Sequence, residues 1–387
     1  MIRFIHLADV HLGAVPDRGC PWSHEREEEI WETFRRVIAS VRRDPVDLLF
    51  IAGDLFHRQP LLKELKEVNY LFSTIPETRV FLMAGNHDYI KRNSFYRGFA
   101  WEPNVTFFDN EKMSCAYIEE LQTFVYGMSY EHQEIKEPLY DSWQPEQEPG
   151  FHVLLAHGGD EKHIPMDAKK ILSSGFTYLA LGHIHKPQAM VRGKALYPGA
   201  LEPIDRNDTG DHGYIEGSYD NGRMRLKFVP FASRSYQNLL LTLDETSTQY
   251  SLEEMLKGEI MKRGGKNIYR LILRGRRAPE FILLTERLKK LGNIVEVLDE
   301  SRPAYDLEEL YRKYTGTLRL YWTFYGKRAD CGGGKGLVSR APGIAGNQHT
   351  ELTAGKNYDH KTNYSQKFWK ASGQDHGVFR WNQRTVR

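Results

Sequence analysis

An α/β fold of layered sheets is predicted for this chain by three features of its sequence. Up to about residue 230, short β-rich apolar runs alternate with stretches of helical periodicity, the pattern of helices packed on sheets. Five of the apolar runs stop at an Asp, Asn or His, so polar chemistry gathers at strand ends. After Pro230 the texture changes to a smaller α+β segment, and after about residue 328 regular patterning stops.

The strands are expected at 2–8, 46–52, 79–84, 151–156 and 176–181. A first helix opens near Ser23 as N-cap and carries Ile30, Phe34, Val37, Ile38 and Val41 at spacings of three and four, a stripe made for packing. A second follows Pro60, with Leu61, Leu65, Val68 and Phe72 on its face. The organisation read from this is residues 1–235 as the first domain, 236–325 as a smaller α+β domain, and 326–387 as an irregular, disordered tail. The smaller domain is expected to hold strands at 238–243, 268–274 and 294–298 and helices near 252–262 and 279–291. The last 60 residues contain nine Gly but only six Ile, Leu and Val, too little to bury a core. An out-of-frame read after a shift near residues 318–330 would give the same texture.

Composition excludes several classes. With 40% hydrophobic and 27% charged residues the chain is an ordinary globular one, and no apolar run approaches the roughly 20 residues that span a bilayer. The opening strand lacks the long apolar core of a secretory signal. Three widely separated cysteines, with no C-x-x-C pair, fit a reducing cytoplasm. The net charge of +2 hides a basic end, since residues 328–387 carry 10 Lys and Arg against 4 Asp and Glu. Any nucleic-acid binding must come from local patches and metal ions.

The chemistry lies at the strand ends. Asp9-Val10-His11 follows the first strand, and residues two apart in an extended segment point to one side, so a carboxylate and an imidazole can share a metal. Gly53-Asp54 follows the second strand, which places a carboxylate at the carboxyl edge of the sheet, where open α/β sheets bind ligands. Gly85-Asn86-His87-Asp88 follows the third, offering a neutral oxygen and an imidazole behind a tight turn. His157 and Gly182-His183-Ile184-His185 close the series. Singly, each would read as a helix-capping Asp or a polar loop His; five in order point to a metal site.

The motifs D-x-H, GD, GNHD, H and GHxH resemble the calcineurin-like metallophosphoesterase superfamily over about residues 1–205. Ala52-Gly53-Asp54-Leu55-Phe56-His57 and Tyr197-Pro198-Gly199-Ala200 resemble the SbcD branch of double-strand-break repair nucleases, and the form with a stand-alone capping domain and no obvious coiled-coil-binding extension is similar to SbcD-like proteins of Gram-positive bacteria. The protein-phosphatase branch would show G-D-x-x-D-R-G and G-N-H-E, which this chain lacks. The resemblance implies a four-layer α/β/β/α metallophosphoesterase sandwich with a smaller C-terminal α+β capping domain. It implies a metal-dependent DNA nuclease with two divalent metal ions: Asp9, His11 and His185 on one, Asn86, His157 and His183 on the other, Asp54 between them. Oxygen and imidazole donors without thiolate suit manganese, iron or zinc, and the family implies manganese (Mn2+). Such a pair lowers the pKa of bound water and neutralises transition-state charge.

His87, not a ligand, would stabilise the transition state and protonate the leaving oxygen. His57 matches the family position that places the DNA phosphate, with a structural or helix-capping histidine as the other reading. Asp88 is read as structural, and His6, His24, His152, His163 and His212 as ordinary polar residues. Homodimerisation through the core helices and an ATPase partner of the SbcC coiled-coil type are expected from resemblance only. Between Lys262 and Arg277 lie seven Lys or Arg and no acid. Arg270 and Arg274 share one strand face, read either as a solvated edge strand or as substrate-binding contacts to a phosphate backbone. A small-molecule or cyclic-nucleotide phosphodiesterase on the same scaffold would share every metal ligand.

Overall fold

A computed structural model describes residues 1–305. The tail expected over 326–387, and the end of the 236–325 segment, lie outside the described residues. In chain order the first half runs β1 (Ile2–Leu7), α1 (Ser23–Arg43), β2 (Leu48–Ala52), α2 (Leu62–Ser73), β3 (Arg79–Met83), β4 (Val105–Phe108), β5 (Ser114–Ile118) and β6 (Thr123–Gly127). It continues with β7 (Phe151–His157), α3 (Ala168–Ser173), β8 (Tyr178–Gly182), β9 (Gln188–Val191), β10 (Ala195–Tyr197), β11 (Gly213–Asp220) and β12 (Arg223–Pro230).

These strands make two six-stranded sheets, ordered β12-β11-β1-β2-β3-β4 and β5-β6-β7-β8-β10-β9. Phe4, Phe50, Phe81, Met83, Phe151, Val153, Leu155 and Tyr178 fill the space between them, with the Phe4 ring 5.4 Å from Phe50 and 5.2 Å from Tyr178. The outer face of the first sheet is covered by α1 and α2, whose Ile30, Phe34, Val37, Ile38, Val41, Leu65, Val68 and Phe72 are all buried. The outer face of the second is covered by α3 and long loops around Tyr130, Tyr140 and Ile164. The result is an α/β/β/α sandwich, with apolar runs as strands because both of their faces are buried.

The third sheet comprises β13 (Tyr236–Leu243), α4 (Gln249–Arg263), β14 (Ile268–Arg277), α5 (Thr285–Lys289), β15 (Ile294–Asp299) and β16 (Arg302–Pro303). It pairs β13, β14 and β15 in parallel around its own core of Leu239, Leu241, Leu252, Leu256, Leu271, Leu273 and Leu288. Trp22, Tyr236 and Ile268 pack together, and Asp17 accepts hydrogen bonds from Trp22 Nε1 (2.8 Å) and Tyr236 OH (2.9 Å), tying this sheet to the loop before α1.

Four local expectations change. Trp22, not Ser23, occupies the N-cap of α1, and Ser23 Oγ instead donates to Pro16 O at 2.7 Å, a tether in place of a cap. Leu61 precedes α2 and is 42% exposed; its N–H is held by Glu64 Oε2 at 2.7 Å. The helix expected at 279–291 shortens to Thr285–Lys289, because Arg277 Nη1 takes Phe281 O (2.9 Å) and Gln249 Oε1 takes the Leu284 N–H (3.1 Å). Finally, β14 is central rather than an edge strand, so the solvated-edge reading of its basic residues fails.

Phe50 is fully buried between the sheets, against Phe4 and Phe81. Phe50→Ala is expected to destabilise the protein by about 3–5 kcal/mol, read as a lowered urea midpoint with unchanged slope.

Candidate metal centre

The carboxyl ends of β1, β2 and β3 in the first sheet meet those of β7 and β8 in the second. Main-chain bonds stitch them: Asp9 N–H donates to Gly53 O (3.2 Å), His11 N–H to Asp54 O (3.0 Å), His87 N–H to Asp54 Oδ1 (2.9 Å) and His183 N–H to Asp9 Oδ2 (2.9 Å). Asp9, His11, Asp54 and His183 all lie at positive φ, at 50°, 53°, 50° and 102°. Non-glycine residues rarely adopt such values, and each costs on the order of 1–3 kcal/mol. Asp9 and His11 are therefore not extended, contrary to the expectation from their spacing: left-handed backbone, not the strand pleat, turns them inward.

Glycine makes the close approach feasible. A Cβ on Gly53 (φ 86°) would lie 2.3 Å from His157 Nδ1. One on Gly85 would lie 2.2 Å from Asp54 Oδ1 and 2.7 Å from His157 Nε2. Any side chain at either position would push two strand ends apart.

Asp9, His11 and His185 bring one donor atom each to within 4.8 Å of one another, and so do Asp9, Asp54 and His157. Asp54 Oδ2 lies 3.5 Å from His157 Nε2 and 3.8 Å from His11 Nε2. Three histidines are held from behind. His157 Nδ1 donates to Ala52 O (2.9 Å), His185 Nδ1 to Asp208 Oδ2 (3.1 Å) and His183 Nε2 to Asp160 Oδ2 (2.8 Å). With that proton spent outward, the inner nitrogens carry lone pairs. Yet His157 Nε2 and His183 Nδ1 face Asn86 Oδ1 at 2.9 and 3.0 Å, and His185 Nε2 faces His11 Nε2 at 3.0 Å. Such contacts are satisfied by protons on the inner nitrogens, as by His11 Nε2–H toward His185, or by cations among them, and an outward N–H bond is the usual posture of a metal-ligating histidine. The donor set fits divalent cations.

Burial and mutual charge split the pKa values. Burial pushes Asp9 up to about 6, opposed by His157 and His185 and assisted by Asp54. Burial also opposes the charge on Asp54, but the His157 and His11 imidazoles outweigh it and hold this carboxyl below the usual range. Burial works against a charged His157, yet Asp54 raises it to about 9. His185 likewise rises to about 9 through Asp208 and Asp9 despite its burial. Burial and the neighbouring His157 bring His183 down to about 4.

The family model described as calcineurin-like phosphoesterase matches residues 2–187, the stretch that holds all seven donors. Residues 2–187 are a calcineurin-like phosphoesterase domain. Such domains are hydrolases acting on phosphoester bonds, and the family uses divalent metals. The chain is 27% identical over 328 residues to the "Uncharacterized metallophosphoesterase YhaO" of Bacillus subtilis, covering 77% of this chain and 78% of that protein. It is 28% identical over 223 residues to the DNA double-strand break repair protein Mre11 of Methanocaldococcus jannaschii, covering 54% of this chain and 59% of that one. The Mre11 protein of Methanopyrus kandleri is 27% identical over 251 residues, covering 57% and 55%. The chain thus spans little more than half the length of these archaeal relatives.

At the mouth of the phosphoesterase centre, His57 and His87 stack at 5.0 Å between centroids. His87 Nδ1 donates to His57 O at 3.2 Å, and its ring is exposed. His57 Nδ1 lies 3.4 Å from His11 Nδ1. Asp88 is buried and accepts from Gly85 N–H (2.8 Å), Phe56 N–H (3.1 Å) and Tyr96 OH (2.8 Å), so it binds the third strand end to the second. Arg270 and Arg274 each pair with a carboxylate of the third sheet at 2.7 Å, Glu296 and Glu300 respectively.

Sequence reasoning missed Asp160 and Asp208. Asp160 sits in Gly158-Gly159-Asp160, directly after a strand that ends in a ligand candidate, and that position was a usable signal. Asp208 lies in an irregular loop, with nothing local to mark it. Of the histidines set aside, His6, His152 and His212 are held by hydrogen bonds to Leu181 O, Glu148 O and Ala200 O, and His24 is exposed. His163 is the exception, its ring 4.5 Å from His183.

Gly85→Ala is expected to leave the sandwich folded while displacing Asp54 or His157. Metal analysis of the purified variant checks this: retention of the wild-type metal content would contradict the close-approach argument.

Proposed function

We propose that this protein is a metal-dependent DNA nuclease resembling the SbcD subunit of DNA repair exonucleases, hydrolysing phosphodiester bonds with two divalent ions, manganese in the first place. The observation that carries the reading is the convergence of Asp9, His11, Asp54, Asn86, His157, His183 and His185 from five strand ends, with His157, His183 and His185 each held by an acceptor on the outer ring nitrogen. DNA as substrate is supported by the archaeal relatives named as double-strand break repair proteins.

In this reading Asp9, His11 and His185 would hold one ion, and Asn86, His157 and His183 the other. Asp54, whose Oδ2 lies 3.8 Å from His11 Nε2 and 3.5 Å from His157 Nε2, would serve both. The ions would supply Lewis acidity against the charge that builds on the phosphoryl oxygens and a lowered pKa of water. The chain supplies the proton. With Nδ1–H committed to His57 O, the proton that His87 gives to the leaving oxygen is a second one, carried at Nε2. His57, half-buried and stacked under His87, positions the phosphate.

Residues 236–325 act in this proposal as a capping domain that contacts DNA. Arg270 and Arg274 reach a phosphate only by exchanging Glu296 and Glu300 for it, which makes them weak contributors. A homodimer and an ATPase partner of the SbcC type rest on resemblance alone. A cytoplasmic setting accords with Cys20 and Cys115 being unpaired. No helix among the described residues is long and apolar enough to cross a membrane.

Manganese-dependent cleavage of end-labelled linear duplex DNA, set beside that of bis(p-nitrophenyl) phosphate and cyclic nucleotides, tests the substrate. Turnover of the small esters alone would favour the phosphodiesterase reading and end the nuclease one. For the roles, His87→Ala is expected to keep its metal and lose about 10²- to 10⁴-fold in kcat, whereas Asp54→Ala loses both metal and activity. Equal metal loss in the two variants would refute the division.

A further inference from the structure

Two carboxylates stand behind the centre, and they hold different histidines. Asp208 Oδ2 accepts from His185 Nδ1 at 3.1 Å and from the N–H groups of Ile204 (3.1 Å) and Asp205 (3.0 Å). Asp160 Oδ2 accepts from His183 Nε2 at 2.8 Å, while its Oδ1 accepts from His163 Nδ1 (2.9 Å) and the N–H groups of Lys162 (2.8 Å) and His163 (2.9 Å). Each carboxylate is thus anchored by backbone donors and holds one histidine of the centre, Asp160 also accepting from His163.

The loop that carries Asp160 is held in an unfavourable shape. Ile164 sits at φ 40°, a genuine outlier for a β-branched residue, although its side chain is fully buried in the outer core of the second sheet. Its N–H donates to Ile135 O at 2.7 Å, and His163 O accepts from Gly159 N–H at 2.8 Å, which folds the loop back on itself. A Cβ on Gly158 would meet His163 O at 2.2 Å. A segment that merely joined β7 to α3 would have no need of this conformation. Its consequence is that the His163 ring and the Asp160 carboxylate both press on His183.

We propose that Asp160, backed by His163, is a positioning residue that sets the affinity of one metal position, that of Asn86, His157 and His183, separately from the other, which Asp208 serves through His185. This rests on the two-metal reading above. An acceptor at His183 Nε2 keeps the proton there, so that Nδ1 presents a lone pair toward Asn86 Oδ1, and it raises the basicity of that lone pair. Without Asp160 the ring is free to turn or to carry its proton on Nδ1. His163 acts one step further back, by hydrogen-bonding the carboxylate that accepts from His183. The two positions are also linked by the His183 N–H to the Asp9 carboxylate, a contact that starts from the main chain and does not involve the side chain of residue 160.

The test is calorimetric titration of the full chain with manganese chloride after chelator stripping, with circular dichroism to confirm folding. The wild type is expected to take up two ions. Asp160→Ala should weaken one step by about 10- to 100-fold and leave the other unchanged, and it should be the step that His183→Ala abolishes. Asp208→Ala should weaken the other step, the one that His185→Ala abolishes. Asp160→Asn, which keeps an acceptor oxygen, should recover part of the loss, and His163→Ala should show a smaller loss in the same step. A merely structural role would weaken both steps together. Asp160→Ala with both steps unchanged, or both equally weakened, overturns the proposal. Uptake of fewer than two ions by the wild type would instead overturn the two-metal reading beneath it.

Discussion

The carboxylate of Asp54 is the contact on which the rest of the centre turns. It is 1% exposed, receives the His87 N–H on one oxygen and faces His157 and His11 with the other, while its own carbonyl holds the His11 N–H. Three other strand ends therefore converge on one group carried by β2. A buried carboxylate without compensating charge or hydrogen bonds is strongly disfavoured, so the two sheets must close at this rim or leave it stranded. The aromatic layer around Phe4, Phe50 and Phe151 provides the rigid spacing that lets them do so.

The rim itself is locally unfavourable, and the sandwich below it carries that burden. Four of the seven donor residues have left-handed backbone, and two glycines stand where any Cβ would strike the side chain of one of them. Strain of this kind persists only when the surrounding structure over-determines it. Here the surroundings are β1, β2, β3, β7 and β8, whose apolar residues are buried almost without exception. Local conflict at the ligand positions, set on locally consistent strands, is the distribution expected of a functional site.

Similarity to known proteins is uneven along the chain. The phosphoesterase match ends at residue 187, but the alignment with the Bacillus subtilis metallophosphoesterase covers 77% of the chain and so reaches well beyond that domain. The third sheet, with its separate core and its Asp17 tether to the loop before α1, lies in the part of the chain past residue 187. Its basic residues are largely neutralised on β14, where Glu296 and Glu300 answer Arg270 and Arg274. Charge counted along a sequence overstates the field a folded surface presents.

The sequence by itself determined the layered α/β class, the principal strands that reach the rim and the strand-end residues that could offer donor atoms there, because buried strands are continuous apolar runs and strand-end residues stand out against them. The stripes of α1 and α2 were legible for the same reason, through periodicity. Short strands such as β9 and β10 left no such mark, and the helix expected at 279–291 lost its first half to contacts from Arg277 and Gln249, which are tertiary. Only the folded structure decided how the donors converge. The positive φ of Asp9 and His11, and the carboxylates of Asp208 and Asp160 behind His185 and His183, depend on segments far apart in the chain. Residue type shows which atoms can bind, whereas the direction of a lone pair is set by the partner on the far side of the ring, and that partner is chosen by packing.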